Sequence, residues 1–199
     1  MNDQEGLNPP PQAAQVLAEA TAIGFTLSCD DQTGALLRTL AASKPGGHFL
    51  EIGTGVGYST SWLLAGMDAD SRLVTVEKEA SHNRIAMKYL GGDPRVSFVT
   101  GDAAKFIGEL VTSDETMAGK LDFIFADTAT GKLTHLEEVL SLVKPGGIFL
   151  VDDMLPKAET NFVPDPRYIE LTEKLENHPD FVITKLGWAS GLIIATRKA

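Results

Sequence analysis

The stretch that most constrains what this chain can fold into is Phe49 to Thr60, which reads FLEIGTGVGYST. Phe49, Leu50 and Ile52 suit a buried strand, with Glu51 as its one charge. Gly53, Gly55 and Gly57 then fall on alternate positions, where they leave no Cβ in the way and reach conformations closed to other residues. From Ser59 or Ser61 to Met67, with Trp62, Leu63 and Leu64 as packing residues, the pattern reads as helix. A strand, a glycine turn and a helix start bring a ligand against bare backbone, with the helix's first free N–H groups facing it.

The spacing narrows the ligand. Dinucleotide sites use G-x-G-x-x-G, and the place of that third glycine is Tyr58 here. The glycines instead run G-x-G-x-G, with an acid two residues before the first. An acid there suits a cationic amine and is poor beside a pyrophosphate. The pattern resembles motif I of class I methyltransferases, which bind S-adenosylmethionine (SAM), a ligand without phosphates. An NAD(P)-dependent oxidoreductase is the rival reading. It is disfavoured by the missing glycine and by the lack of a Tyr-x-x-x-Lys pair at Tyr58, Tyr89 or Tyr168. A non-catalytic SAM- or nucleotide-binding module and an aminopropyl transferase on the same fold are further alternatives.

Along the chain, apolar and turn residues alternate in β-α order. Helices are expected over 12–23 and from Asp30 or Asp31 to Ser43. After the opening strand come strands at 72–77, 95–100, 121–126, 148–151, 181–185 and 192–196. Helices are expected at 79–90, from 103 to Leu110, from Leu133 to Val143, and over 166–177; 111–120 reads as a polar loop. The run LDFIFA at 121–126 is almost wholly apolar, as a central parallel strand requires. The last two strands are too close for a helical crossover and must pair antiparallel or sit apart. The α/β alternation, read with the resemblance, implies a Rossmann-like, doubly wound seven-stranded sheet. It is mostly parallel, with an antiparallel C-terminal strand and helices on both faces. One domain over 1–199 is expected, with residues 1–11 as a disordered tail and helices over 12–43 covering the site or building an interface. Ligands in such sheets bind beyond the carboxyl ends of the strands.

Composition narrows the partners. The chain has 199 residues, with 27 acidic and 17 basic side chains and a net charge of -10. That balance argues against nucleic acid or an anionic membrane as the main partner. The single Cys29 excludes an intramolecular disulfide framework. Residues 1–11 are polar and proline-rich, unlike a signal peptide, and no apolar run reaches the ~20 residues of a membrane span. Cytoplasm is the expected compartment.

Polar residues fall where strands end. Glu77 closes strand two, where a carboxylate can accept two hydrogen bonds from a ribose diol. Asp102 follows strand three and also suits a helix N-cap. The methyltransferase resemblance places this acid against the adenine amino group, with the Ala103 N–H on a ring nitrogen. Asp127 ends strand four, and Asp152 and Asp153 end strand five. Three carboxylates at the tips of two strands repel one another unless a cation or proton intervenes, and hard divalent cations take such oxygens.

These acids, together with EIGTGVGYST, resemble the cation-dependent catechol and caffeoyl-CoA type O-methyltransferases over about residues 33–153 and the C-terminal strand pair. The resemblance implies a magnesium site at Asp127, Asp152 and Asp153, where the metal favours the ionised form of a diol-like acceptor. It implies catalytic roles for Asp127, Lys132 and Asp153, and donor contacts from Glu51, Gly53, Thr54, Gly55, Gly57, Ser59, Glu77, Lys78, Asp102, Ala103 and Asp127. A small hydroxylated acceptor and a homodimer are implied as well. Two departures stand out: the family's D-A-D-K is Asp127-Thr128-Ala129-Thr130-Gly131-Lys132, and its Asp-Asn pair is Asp152-Asp153. The lysine is displaced, and His135, one helical turn further on, is a possible base near neutral pH. Met154 to Pro166, with Leu155 and Phe162, and Trp188 between the last two strands are expected to wall an acceptor pocket.

Overall fold

A computed structural model describes residues 2–112, 117–155 and 165–199. The described strands form a seven-stranded sheet in the order β3-β2-β1-β4-β5-β7-β6. The chain divides into two compact units, Met1–Ala103 and Ala104–Ala199.

The first unit holds α1 (Pro11–Ala22), α2 (Asp31–Ala42), β1 (His48–Ile52), α3 (Tyr58–Gly66), β2 (Arg72–Glu77), α4 (Ala80–Leu90) and β3 (Val96–Thr100). β1 pairs parallel with β2, Ile52 opposite Val76, and β2 pairs parallel with β3, Glu77 opposite Thr100. This register brings the glycine loop, Glu77 and Gly101-Asp102 to the same edge, because Glu77 is the last paired residue of β2 and the other two follow the last paired residues of β1 and β3. α2 and α3 pack closely through small residues: a Cβ on Gly34 would fall 2.5 Å from the Trp62 ring, and one on Gly66 would fall 2.1 Å from the Arg38 carbonyl. Trp62 itself is wholly buried. The expected tail is partly held. The Arg38 guanidinium donates to the carbonyls of Leu7 and Asn8, each at 2.8 Å, and lies 5.0 Å over the Trp62 ring.

The second unit carries β4 (Leu121–Ala126), α6 (Leu136–Leu142), β5 (Val143–Val151), α7 (Pro166–Glu176), β6 (Phe181–Leu186) and β7 (Leu192–Arg197), preceded by α5 (Ala103–Thr112). All six residues of β4 are buried. β4 and β5 run parallel, with Ala126 opposite Val151, so Asp127 and Asp152 leave neighbouring strand ends. β7 pairs antiparallel with both β5 and β6, as its short connection to β6 requires. Among the described residues no helix is long and apolar enough to cross a membrane.

Two element boundaries differ from the sequence reading. β5 starts at Val143, so Lys144-Pro145-Gly146-Gly147 lies within it, at the cost of a register shift between Leu121 and Phe123. α6 starts only at Leu136. Residues 129–134 instead close a tight turn: the Gly131 N–H donates to the Thr134 carbonyl at 2.7 Å and the Leu133 N–H to Ala129 at 2.8 Å. Lys132 and His135 therefore do not share a helix; His135 caps α6 with φ +59. The expected loop at 111–120 and the expected pocket wall at 154–166, Phe162 included, lie in part outside the described residues.

Candidate active site

In the first unit the glycine loop is fastened from beneath. Glu51 is fully buried. Its Oε1 accepts the Ser59 hydroxyl at 2.6 Å, and its Oε2 accepts the hydroxyls of Thr60 at 2.5 Å and Thr75 at 2.6 Å. Thr54 shares a 2.6 Å hydroxyl contact with Thr75. Burial pushes the Glu51 carboxyl up to about 7, against the downward pull of the three hydroxyls. Glu51 and Ser59, expected on the ligand, thus spend their polar atoms on each other, joining β1 to the first turn of α3 and to β2. Nothing in the spacing of Thr75 marks it as the third member, since the contact is made by strand pairing.

The upper side of the loop is held by strand two. The N–H groups of Gly53 and Thr54 donate to the Val76 carbonyl at 3.0 and 3.2 Å. Glu77 accepts the Gly55 N–H on one oxygen and the Glu79 N–H on the other, both at 2.8 Å. A carboxylate oxygen accepts more than one hydrogen bond, so this grip leaves lone pairs for a diol. At Gly55 an added Cβ would meet Phe25, from the segment before α2, at 3.1 Å. Lys78 and Asp102 are exposed and Ala103 is half-buried. The edge thus offers positive-φ backbone at Gly53 and Gly55 and two acids, with one exposed lysine. That donor set fits an adenine, a ribose diol and an ammonium, and is poor for a pyrophosphate.

In the second unit the polar residues gather at the ends of β4 and β5. Asp152 is 1% exposed, and burial pushes its carboxyl up. Its Oδ1 accepts the Asp153 N–H at 2.7 Å and the Ser190 hydroxyl in a short contact. Lys132, 3% exposed, turns inward, and its Nζ donates to the Asp152 carbonyl at 2.7 Å. Asp127 and Asp153 are half-buried, and Asp153 takes φ +59. Tyr168, in the first turn of α7, is half-buried. Burial and the charges of Asp153 and Asp127 hold its phenol above the usual range. Ser190 and Tyr168 are missed by sequence reasoning: Ser190 lies 38 positions from its partner, and no spacing rule ties them.

Next to this cluster a cavity of about 240 Å³ is lined by Lys132, His135, Arg167, Glu170 and Lys174, among others. Its charges are largely matched, with Arg167 on Asp165 and Lys174 on Glu170. The Nδ1 of His135 is buried there with no hydrogen-bond partner. Trp188 is half-buried in the β6–β7 connection.

The expected magnesium set does not suit a resident dication in this arrangement. Asp152 has one oxygen committed twice, and an ammonium sits on the carbonyl of the same residue. Among the described residues no group of three or more His, Cys, Asp or Glu is placed to hold a metal ion.

The family model described as O-methyltransferase matches residues 15–198. The chain belongs to the O-methyltransferase family. Its relatives include a catechol O-methyltransferase of Niastella koreensis, 31% identical over 147 residues, which cover 72% of this chain and 64% of that protein. A putative O-methyltransferase of Mycolicibacterium vanbaalenii is 35% identical over 59% of this chain and 52% of its own length. The matches thus span between half and two thirds of these relatives. Among solved structures, the Bacillus cereus O-methyltransferase in complex with S-adenosylhomocysteine (SAH) superposes with a TM-score of 0.83. It is 26% identical, with 98% of this chain and 94% of that chain covered. A putative O-methyltransferase from Klebsiella pneumoniae gives a TM-score of 0.80 at 26% identity, with the same coverage. The resemblance carried by EIGTGVGYST and the strand-end acids is borne out at the level of family and fold.

Proposed function

We propose that this protein transfers a methyl group from SAM to a hydroxyl oxygen of a small acceptor. The observation that carries the reading is the pinned Glu77 carboxylate, fixed by the Gly55 and Glu79 amides at the edge where the glycine loop and Asp102 also end. Family membership and the SAH bound to the Bacillus cereus structure support it. SAM supplies a methyl on a sulfonium, released as a bond from the acceptor oxygen to carbon forms and the carbon–sulfur bond breaks.

In this reading Glu77 takes the ribose hydroxyls, Asp102 the adenine amino group, and the Ala103 N–H a ring nitrogen. The turn that begins at Gly53 receives the amino acid end. Glu51, Ser59, Thr60 and Thr75 hold that loop rigid from below, so the methyl is presented in one place. Asp127, Asp153 and Lys132 handle the acceptor hydroxyl, with its proton passing to one of the two carboxylates or to water. Net charge supports a small molecule over nucleic acid or a membrane surface as the partner.

Calorimetry with SAH tests the reading. The wild type is expected to bind, and Glu77→Ala to lose ~10-fold or more in affinity, the scale of a charge-assisted hydrogen bond pair. No heat and no thermal shift with SAH in the wild type would sink it.

A further inference from the structure

We propose that Lys132 is a built-in counter-cation for the acceptor side, standing where a divalent metal would otherwise be needed, so that this protein works without one. The inference rests on reading Asp127, Asp152 and Asp153 as the acceptor side of an O-methyltransferase.

Three observations carry it. The first is placement. Lys132 is 3% exposed, and its ammonium is anchored at 2.7 Å to the carbonyl of Asp152, the residue that ends β5. A buried ammonium is retained only where it is hydrogen-bonded and faces opposite charge, and the acids at these strand ends supply that charge.

The second is the backbone that puts it there. The segment from Asp127 to Lys132 contains Gly131 at φ +91. The Gly131 N–H to Thr134 and Leu133 N–H to Ala129 bonds close this segment into a turn. The turn fixes the base of the Lys132 side chain and takes it off α6. The lysine is held in place, as a group must be if it is to do a metal's electrostatic work without reorganising.

The third is the state of the acids. Asp152 accepts the Ser190 hydroxyl and the Asp153 N–H on the same oxygen. A dication at Asp152 would share its surroundings with a fixed like charge, which a partly buried site screens poorly. An acceptor oxygen that develops negative charge here meets an ammonium already in position.

Mn²⁺ binding tests this directly. The wild type is stripped with EDTA, desalted and titrated with Mn²⁺ in the presence of SAH, with free Mn²⁺ read by electron paramagnetic resonance. The expected result is no saturable Mn²⁺ site in the wild type. Lys132→Met, or Lys132→Gln if the first fails to fold by circular dichroism, should gain one, with affinity up roughly tenfold or more. The gain should vanish when Asp152→Asn is added, and Lys132→Arg, which keeps the charge, should stay without a site. Saturable Mn²⁺ binding by the wild type that is lost in Asp152→Asn overturns the proposal, as does a folded Lys132→Met or Lys132→Gln that gains nothing. SAH heat in the same preparations separates the two readings. Its absence from the wild type strikes the methyltransferase reading, while its presence beside a wild-type Mn²⁺ site strikes only the lysine.

Discussion

A carboxylate with no exposed surface must be met on every side, and Glu51 is met by three hydroxyls from two elements. Its folded-state pKa of about 7 lies above the ordinary value of 4.5. The stability tied to its proton is therefore fully present below about 4.5 and lost as pH rises through about 7. The loss is on the order of 3 kcal/mol. In Glu51→Gln this component is absent. Urea unfolding at pH 5 and pH 8 should show a wild-type drop larger than that of the variant by about this amount; equal drops would show that Glu51 does not titrate in the window. At this scale the sequence was legible where a residue faces outward from a strand end. Glu77 and Asp102 stand where β-α spacing puts them. The hydroxyl clamp on Glu51 was not legible, because its partners Ser59, Thr60 and Thr75 are brought to it by folding. The inward turn of Lys132 was illegible for the same reason.

At the level of elements, the glycine loop and α3 behave as one piece. Gly57 sits at the N-cap of α3 with φ +95, and a Cβ there would lie 2.9 Å from the Cβ of Ala86 and 3.1 Å from Leu90 on α4. Gly57→Ala should cost about 1–3 kcal/mol from backbone strain alone, measured as a lowered urea midpoint with unchanged slope. A loss within ±0.5 kcal/mol, the ordinary surface range, would refute the packing argument. β4 was read to the residue because burial on both faces leaves an unbroken apolar run between turn residues. α6 was not. Leu133, Leu136 and Leu140 have helical spacing, but positive φ at Gly131 and His135 delays the helix until Leu136. Likewise Lys144-Pro145-Gly146-Gly147 has the composition of a turn, yet β5 absorbs it by shifting register against β4.

For the whole molecule, the order of strands and helices was legible from alternation alone; the short link before β7 left its strands to pair antiparallel or sit apart, and they pair. The polar cluster at the ends of β4 and β5 was not legible, because its members come from positions far apart in the chain, such as Asp152 and Ser190. If SAH binds the folded chain and not the unfolded one, saturation at about 100 times its dissociation constant adds about 2.7 kcal/mol. For a chain of this size that raises the melting temperature by about 5–10 °C, readable by scanning calorimetry; an unmoved transition at that saturation would contradict binding to the native state. Glu51 has one more consequence, for how this sequence can drift over time. Removing one partner of a buried polar set strands the others, whereas replacing the whole set by apolar groups can be nearly neutral. Glu51, Ser59, Thr60 and Thr75 should therefore be inherited as a block: lineages that keep the acid keep the hydroxyls, and those that lose it lose them together.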